Sequence, residues 1–491
     1  MKKQILIMIV LLNNIIFLNA QTISIINDWD VSFKLKVFEC WIESKIAYED
    51  WPGLSIGIVY DQELIWSKGF GYANMEKKIP STVYTKYLLA SNTKQFTAIA
   101  IMQLRDAGKI DLNDPVEKYL PWINEIKQPF NNVPKITIRN LLTHTSGLPM
   151  DGLYLYCDDC ILPALNELIE KLKYQTAAYP PETRWKYSNL EFAMLGEIVS
   201  KVSGIPYTNY IKKYILDPLN MTETYISDTA LILNDLAIGY GRKMPGNKRA
   251  TFTVSEPNAL TPAGGLISSL MDLSKYVKWQ FRIRDTDRLE IIKGSTLREM
   301  QNIQWLDPGW KMGWGYGFLL TYKDPFYIVN HGGHWKGFRT EIATMKNYKI
   351  GIICLANADD IILYADLPLS VTSNIFEWVI PEIISAIKKG ELNLKQDNFP
   401  DYSKYEGKYR SMDNDRIIIS RKGELVLIDP RSSNPLSSVD TLKFVSDSNF
   451  LFESEDGFSN TGEILTFHKN DKGEIESYLL GEDVYKKISN W

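Results

Sequence analysis

The sequence predicts a mixed α/β fold of the α+β kind: one sheet flanked by helices, an inserted helical subdomain, and a small all-β domain at the C-terminus. Two observations carry this expectation. Strand-like stretches occur near residue 54 and again from residue 326, with mainly helix-period sequence between them. Beyond residue 400 the pattern changes to short strands separated by turn residues. The expected layout is a leader over 1–20, a large domain over 21–390 and an antiparallel β domain over 398–491.

Each element has a local reason. Lys2 and Lys3 precede an apolar run, Ile5 to Leu18, and Ala20 offers a small residue before Gln21. This is a secretory signal pattern with cleavage expected after Ala20, which would place the chain outside the cytoplasm, periplasmic or secreted. Asn13 and Asn14 interrupt the run, so no membrane span is expected once it is removed. Gln21 to Asp50 reads as a short linker and a helix. Leu54 to Tyr60 reads as a strand, and Glu63 to Trp66 returns as a hairpin partner. From Ser91 the period becomes helical, with Phe96, Ile99, Ala100 and Leu104 on one face and Gly108 as the stop. Leu190 to Val202, closed by Gly204, repeats that pattern. Strands return at Phe326 to Val329, Arg339 to Met345 and Ile350 to Leu355, followed by a helix from about Val371 to Lys388. Gly390 to Pro400 is polar and reads as a linker. Arg421-Lys422-Gly423 and Asp471-Lys472-Gly473 mark hairpin turns in the last region.

Composition narrows the function classes. The chain has 491 residues, 45% hydrophobic, with a formal charge of −4. That balance gives no reason to expect nucleic acid as partner. Of four cysteines, Cys157 and Cys160 form a close pair without the second pair or nearby His of a zinc site. A local disulfide or two thiols is the expectation there, and neither metal nor cofactor is expected. The partner expected is a small-molecule or peptide acyl substrate, and the sequence leaves oligomeric state open.

Three short motifs point to acyl chemistry. Ser91-Asn92-Thr93-Lys94 opens a helix, so Lys94 lies one turn beyond the Ser91 hydroxyl. A helix N-terminus suits a nucleophile whose intermediate carries an oxyanion. Ser385 to Lys388 has the same spacing but reads as a solvated helix end. Tyr187-Ser188-Asn189 could supply a base, since i and i+2 face the same way in an extended stretch. On spacing alone, Tyr72-Ala73-Asn74 and Tyr207-Thr208-Asn209 rival it. His331-Gly332-Gly333-His334 ends a strand, and its glycines allow close backbone approach. Lys311-Met312-Gly313 is a rival for that role, but its neighbours suggest a loop.

The order Ser-x-x-Lys, Tyr-x-Asn, His-x-Gly resembles the serine β-lactamase and penicillin-binding family, specifically its class C branch. That branch includes D,D-carboxypeptidases, D-aminopeptidases and esterases. The supporting context is Ile138 to Pro149, Pro181 to Lys186, Pro262 to Leu266 and Gly337-Phe338. The resemblance spans roughly Trp51 to Glu377 and implies a β-lactamase/transpeptidase-like fold. It selects Ser91, Lys94 and Tyr187, and sets Tyr72 and Tyr207 aside. It implies Ser91 as acylated nucleophile, Lys94 as its proton partner and Tyr187 as general base and later acid. Asn189 would orient Lys94 and the substrate, and His331 would be an electropositive wall. The backbone of Ser91 and His334 would form the oxyanion hole, with His144 structural. The third motif departs from the family's Lys-Thr-Gly, because Gly332 has no hydroxyl. Recognition of a substrate carboxylate is therefore expected to be weak unless Arg339 or Asn357 compensates. Protonation of His331 below its ordinary pKa would restore part of it. A hydrolase of esters, D-amino-acid peptides or β-lactams is the first expectation, and a slowly acylating or non-catalytic cell-wall sensor the second. The region from Tyr405-Glu406-Gly407 onward resembles small β domains appended to this family.

Overall fold

The computed structural model describes residues 25–152, 162–226, 236–252, 256–286, 288–310, 312–359, 371–391, 398–437, 439–454 and 460–491. The expected leader and the pair Cys157 and Cys160 lie outside the described residues. Two compact units emerge: Pro52–Tyr364, and the described residues of Met1–Trp51 together with those of Ala365–Trp491.

The larger unit is built on a nine-stranded antiparallel sheet. Its strands are β1 (Gly53–Tyr60), β2 (Glu63–Asn74), β3 (Ile79–Pro80), β4 (Trp305–Leu306), β5 (Met312–Trp314), β6 (Leu319–Lys323), β7 (Phe326–Trp335), β8 (Phe338–Met345) and β9 (Ile350–Ala356). The order is β3-β2-β1-β9-β8-β7-β6-β5-β4. Strand β1 pairs with β2 on one side and β9 on the other, with Leu54 opposite Phe70 and Ala356. The sheet is thus assembled from both ends of the unit, as the sequence predicts. Its two central strands are buried along nearly their whole length. Helix Leu270–Arg284 covers them closely, because Gly57 and Gly351 leave room. A Cβ on Gly351 would meet Val277 Cγ1 at 2.5 Å.

Between β3 and β4 lies the helical insertion. It contains helices Thr93–Asp106, Ile138–Thr143 and Asn189–Ser203. Phe96, Ile99, Met102, Leu142, Leu195 and Ile198 are fully buried in one core there. Strands β4 to β6 go beyond what the sequence predicts. Met312-Gly313-Trp314, expected as loop, is a strand paired with Leu319 to Thr321. Closely spaced glycines and tryptophans hide the two-residue alternation over so short a span.

The second unit holds helix Trp29–Glu49, a helical stretch from Val371 to Glu391, and a closed eight-stranded barrel over Gly407–Ile488. Strand Gly407–Arg410 closes the barrel by pairing with both Asp415–Arg421 and Asp483–Ile488. Lys422 and Gly423 both have positive φ, the backbone that a tight hairpin turn requires. Tyr405, Tyr409, Phe450, Phe467 and Tyr478 fill its interior.

Both flanking helices were expected within the large domain, with a boundary near residue 390. The compact units divide the chain elsewhere, and packing explains why. Phe33 and Val37 of the first helix bury against Ile417, Ile419, Val426 and Ile428 on the outside of the barrel. Phe38 of the same helix lies 6.5 Å from Trp378 of the other. Apolar outward positions on barrel strands look the same in sequence as inward ones, so this partner is not readable locally. Phe33→Ala should therefore lower the stability of this unit by about 3–5 kcal/mol. Urea unfolding followed by far-UV circular dichroism reads this as an earlier midpoint. An unchanged midpoint would mean that the ring is not part of that core.

Candidate active site

Strand Lys86–Leu88 delivers the chain to Ser91 through a strained turn. Ala90 has φ of +48°, a left-handed conformation that non-glycine residues rarely hold. Such backbone persists only where the surroundings fix it. Here Thr340 on β8 does so. Its Oγ1 donates to Leu89 O at 2.8 Å and accepts from Asn92 Nδ2 at 2.9 Å. Gln95 Nε2 then donates to Asn92 Oδ1 at 2.9 Å. Ser91 belongs to a short 3₁₀ turn, Ala90–Asn92, that runs directly into helix Thr93–Asp106.

That helix is buried on every side over Thr93 to Met102, not on one face alone. Its polar residues must find partners inside the protein. Thr97 Oγ1 bonds Pro262 O at 2.7 Å and Tyr207 OH at 2.6 Å. Tyr207 is thereby committed to the core, in line with setting it aside. Lys94 is the most demanding of them, because it carries an amine at 0% exposure. Its Nζ lies 3.0 Å from Ser91 Oγ, 2.7 Å from Asn189 Oδ1 and 2.8 Å from Ala263 O. Burial lowers its pKa to about 7, against the opposing pull of Asp151. Near neutral pH a large fraction is therefore an uncharged amine beside the Ser91 hydroxyl.

Tyr187 and Asn189 arrive together at the start of helix Asn189–Ser203. Ser188 caps that helix by accepting from Glu191 N at 3.3 Å. Asn189 Nδ2 donates to Asp151 Oδ1 at 2.9 Å, which turns its carbonyl oxygen towards Lys94. The Tyr187 ring centre stands 4.9 Å from Lys94 Nζ. It packs against His144 at 4.5 Å, Trp314 at 6.1 Å and Trp185 at 6.2 Å.

His144 supports this loop from beneath. Its Nδ1 accepts the Ser188 N–H at 3.2 Å and also pairs with Glu191 Oε2. Burial pushes the His144 pKa well below the ordinary imidazole range and the Glu191 pKa well above the carboxylate range. The pair is therefore neutral, a carboxylic acid against an uncharged ring, with Ser146 Oγ donating to the other Glu191 oxygen. Sequence reasoning missed Glu191. The available signal was an acidic residue between Leu190 and Phe192 in an apolar helix, which needs a buried partner.

The third wall is the end of β7. Pairing with β6 stops at Asn330, and from His331 onward this edge borders the cleft. Gly333 has no room for a side chain, since a Cβ would meet Leu89 O and Thr340 Oγ1, both at 2.2 Å. It lets the strand touch the turn that carries Ser91. His331 is buried, with Nδ1 donating to Gly332 O at 2.7 Å. Burial and the nearby Lys94 lower its pKa to about 3. It is therefore a neutral ring and not the electropositive wall that the sequence suggested. His334 is half exposed, and its Nε2 lies 3.0 Å from Asp359 Oδ1. Asn357 cannot compensate for a missing cation, because its Nδ2 is shared among the carbonyls of Tyr72, Ala73 and Ile238. Ser91, Tyr187, Asn189, His331, Gly332 and His334 together line a cleft of about 550 Å³. Lys94 lies just beneath it. The rival Ser385 stands in the helix Ile380–Glu391 of the other unit, with Lys388 exposed. Tyr72 lies near the end of β2 and is itself exposed.

The profile of the Beta-lactamase family matches residues 41–364 of the chain. The protein belongs to the Beta-lactamase family. Among curated relatives, protein flp of Staphylococcus aureus (strain NCTC 8325) is 32% identical over 318 residues, covering 62% of this chain and 59% of flp. Putative penicillin-binding protein PbpX of Bacillus subtilis (strain 168) is 32% identical over 275 residues, covering 56% of this chain and 63% of PbpX. The chain thus spans about three-fifths of the length of these relatives. Among solved structures, the octameric penicillin-binding protein homologue from Pyrococcus abyssi is 26% identical, with a TM-score of 0.61 over 92% of this chain and 100% of that one. The hydrolase EstCE1, with promiscuous acyltransferase activity, shares the fold at a TM-score of 0.59 and 18% identity, over 73% of this chain and 99% of its own.

One consequence is spectroscopic. With its pKa near 3, His331 should show no titration of its ring signals between pH 5 and 8 in NMR of histidine-labelled protein. A midpoint close to the ordinary value of about 6.5 would contradict the buried, neutral ring.

Proposed function

We propose that the protein is an exported serine hydrolase that forms an acyl-enzyme on Ser91. The observation that carries this reading is the Lys94 amine, 3.0 Å from Ser91 Oγ and lowered to about pKa 7 by burial. An uncharged amine at that distance can take the hydroxyl proton as Oγ attacks a carbonyl carbon. The Oγ–carbon bond forms, and the negative charge moves to the carbonyl oxygen. The backbone N–H groups of Ser91 and His334 receive that charge. The bond to the leaving group then breaks, and its oxygen or nitrogen takes a proton from Tyr187, recharged by Lys94. Water enters by the reverse path and releases the acid. Asn189 keeps Lys94 aimed at Ser91, and no metal or cofactor enters the scheme.

Neutral acyl esters are the favoured substrates in this proposal, ahead of D-amino-acid peptides with a free carboxylate and of anionic β-lactams. A cation and a hydroxyl would hold a carboxylate by charge-assisted bonds. Neutral His331 and bare Gly332 offer neither at the third motif, and much of the cleft is walled by Trp185, Trp314, Trp335, Met150 and Phe252, with Lys336 the one lysine on its lining, beside Asp359. Because His331 stays neutral, lowering the pH from 8 to 6 does not rescue the anionic class.

Ser91→Ala should abolish labelling by a fluorophosphonate probe and lower ester turnover by about 10⁴-fold or more. Labelling that persists in this variant would remove Ser91 from the mechanism. Wild-type kcat/KM for a small neutral ester should exceed that for a chromogenic β-lactam by about tenfold to a hundredfold. Stoichiometric acylation without turnover of either would favour the sensor role instead.

A further inference from the structure

The Ser91 cleft has a neighbour. A second cavity of about 490 Å³ is walled by Trp185, Trp305, Pro308, Met312, Trp314 and Leu319. Trp185, Met312, Trp314 and Leu319 wall both spaces and so stand between them. Two of these dividers are indoles whose centres lie 5.5 Å apart. A third, Met312, is 37% exposed. Its unbranched thioether is the divider most easily turned aside.

We propose that this second cavity is a leaving-group subsite that takes an aryl or branched aliphatic arm of the alcohol or amine released from the substrate. The inference rests on the reading of Ser91 and Tyr187 given above. Tyr187 hands its proton to the leaving group, so the leaving group lies against the Tyr187 ring. That ring is 6.2 Å from Trp185 and 6.1 Å from Trp314, the same two indoles that wall the second cavity. The polar part of the cleft lining is His334, Lys336 and Asp359. An apolar arm on the departing side therefore has this apolar space beside the Tyr187 ring within reach.

The chemistry of the wall sets the class of occupant. Three indoles, a proline, a leucine and a methionine favour an aromatic ring by stacking and area burial. Two charged residues stand on the wall. Asp307 accepts from Gly309 N at 2.8 Å and Met312 N at 2.5 Å, and Arg184 lies over the Tyr179 ring. A carboxylate on the arm would lose its hydration in a mostly apolar space, with the exposed Arg184 as its one cationic neighbour on the wall.

The test uses acetate esters of ethanol, benzyl alcohol and 4-phenylbutanol. The acyl group is constant, so all three share one acetyl-enzyme and one deacylation rate. Expected is a kcat/KM that rises by at least about tenfold from the ethyl to the 4-phenylbutyl ester. Trp305→Ala and Thr183→Trp, which strip and fill the cavity, should each pull that ratio back towards one. A flat wild-type series with Ser91-dependent turnover overturns the subsite and leaves the Ser91 reading intact. Turnover that ignores Ser91→Ala overturns the catalytic reading instead. In that event, or with no turnover at all, 4-phenylbutanol binding followed by tryptophan fluorescence decides the cavity. Saturable quenching that Trp305→Ala removes supports it, and no quenching overturns it.

Discussion

Lys94 places an amine at 0% exposure in the middle of the helical insertion, and much of the surrounding architecture serves to keep it there. An ammonium taken out of water is costly unless acceptors surround it. Three do: Ser91 Oγ, Asn189 Oδ1 and Ala263 O, from three separate segments of the chain. Their convergence demands tight packing. Gly196 is the clearest sign, since a Cβ there would stand 2.1 Å from Pro262 Cγ. With glycine at that point, the turn holding Ala263 settles onto helix Asn189–Ser203, and the acceptor carbonyl reaches Lys94. The neutral His144–Glu191 pair fixes the other end of the same helix without adding a full negative charge beside the amine. A buried carboxylate there would have held Lys94 charged.

The same economy of charge governs the wall opposite. Gly333 brings β7 against the Ser91 turn, and that closeness leaves His331 without water. A dehydrated ring beside Lys94 stays neutral. Burial thus biases both groups, a lysine and a histidine, towards their uncharged forms. The cleft that results is largely aromatic, with Lys336 and Asp359 as its charged lining.

Much of this was legible in the sequence, and the exceptions have identifiable causes. The central strands announce themselves by apolar runs such as Ile350 to Leu355, and the Ser91 helix by the spacing of Phe96, Ile99 and Leu104. The hairpin turns at Gly423 and Gly473 follow from residue type alone. Ser91, Lys94, Tyr187, Asn189, His331, Gly332 and His334 all lie in the short motifs, with the family resemblance choosing Tyr187 over its rivals, and the structure brings them into one place. What failed was whatever depends on distant partners. The charge state of His331 follows from burial that no local pattern encodes. Glu191 is a functional neighbour only because His144, 47 positions away, folds against it. The grouping of helix Trp29–Glu49 with the barrel depends on Phe33 and Val37 meeting strands nearly 400 residues on. Residue type predicts local geometry well, while protonation and domain grouping are properties of the assembled core.

The central claim is that burial makes Lys94 a base near neutral pH. It is tested most directly by the pH dependence of the acylation step, followed by stopped flow with one neutral ester from pH 5 to 9. A lowered lysine pKa means that the competent, uncharged form is scarce below that pKa and dominant above it. The account predicts a rate that rises with pH, bends near pH 7 and then levels off. A rate that falls as pH rises through 7 would mean that the charged amine is the working form, with Lys94 stabilising a Tyr187 phenolate. That result would contradict the account.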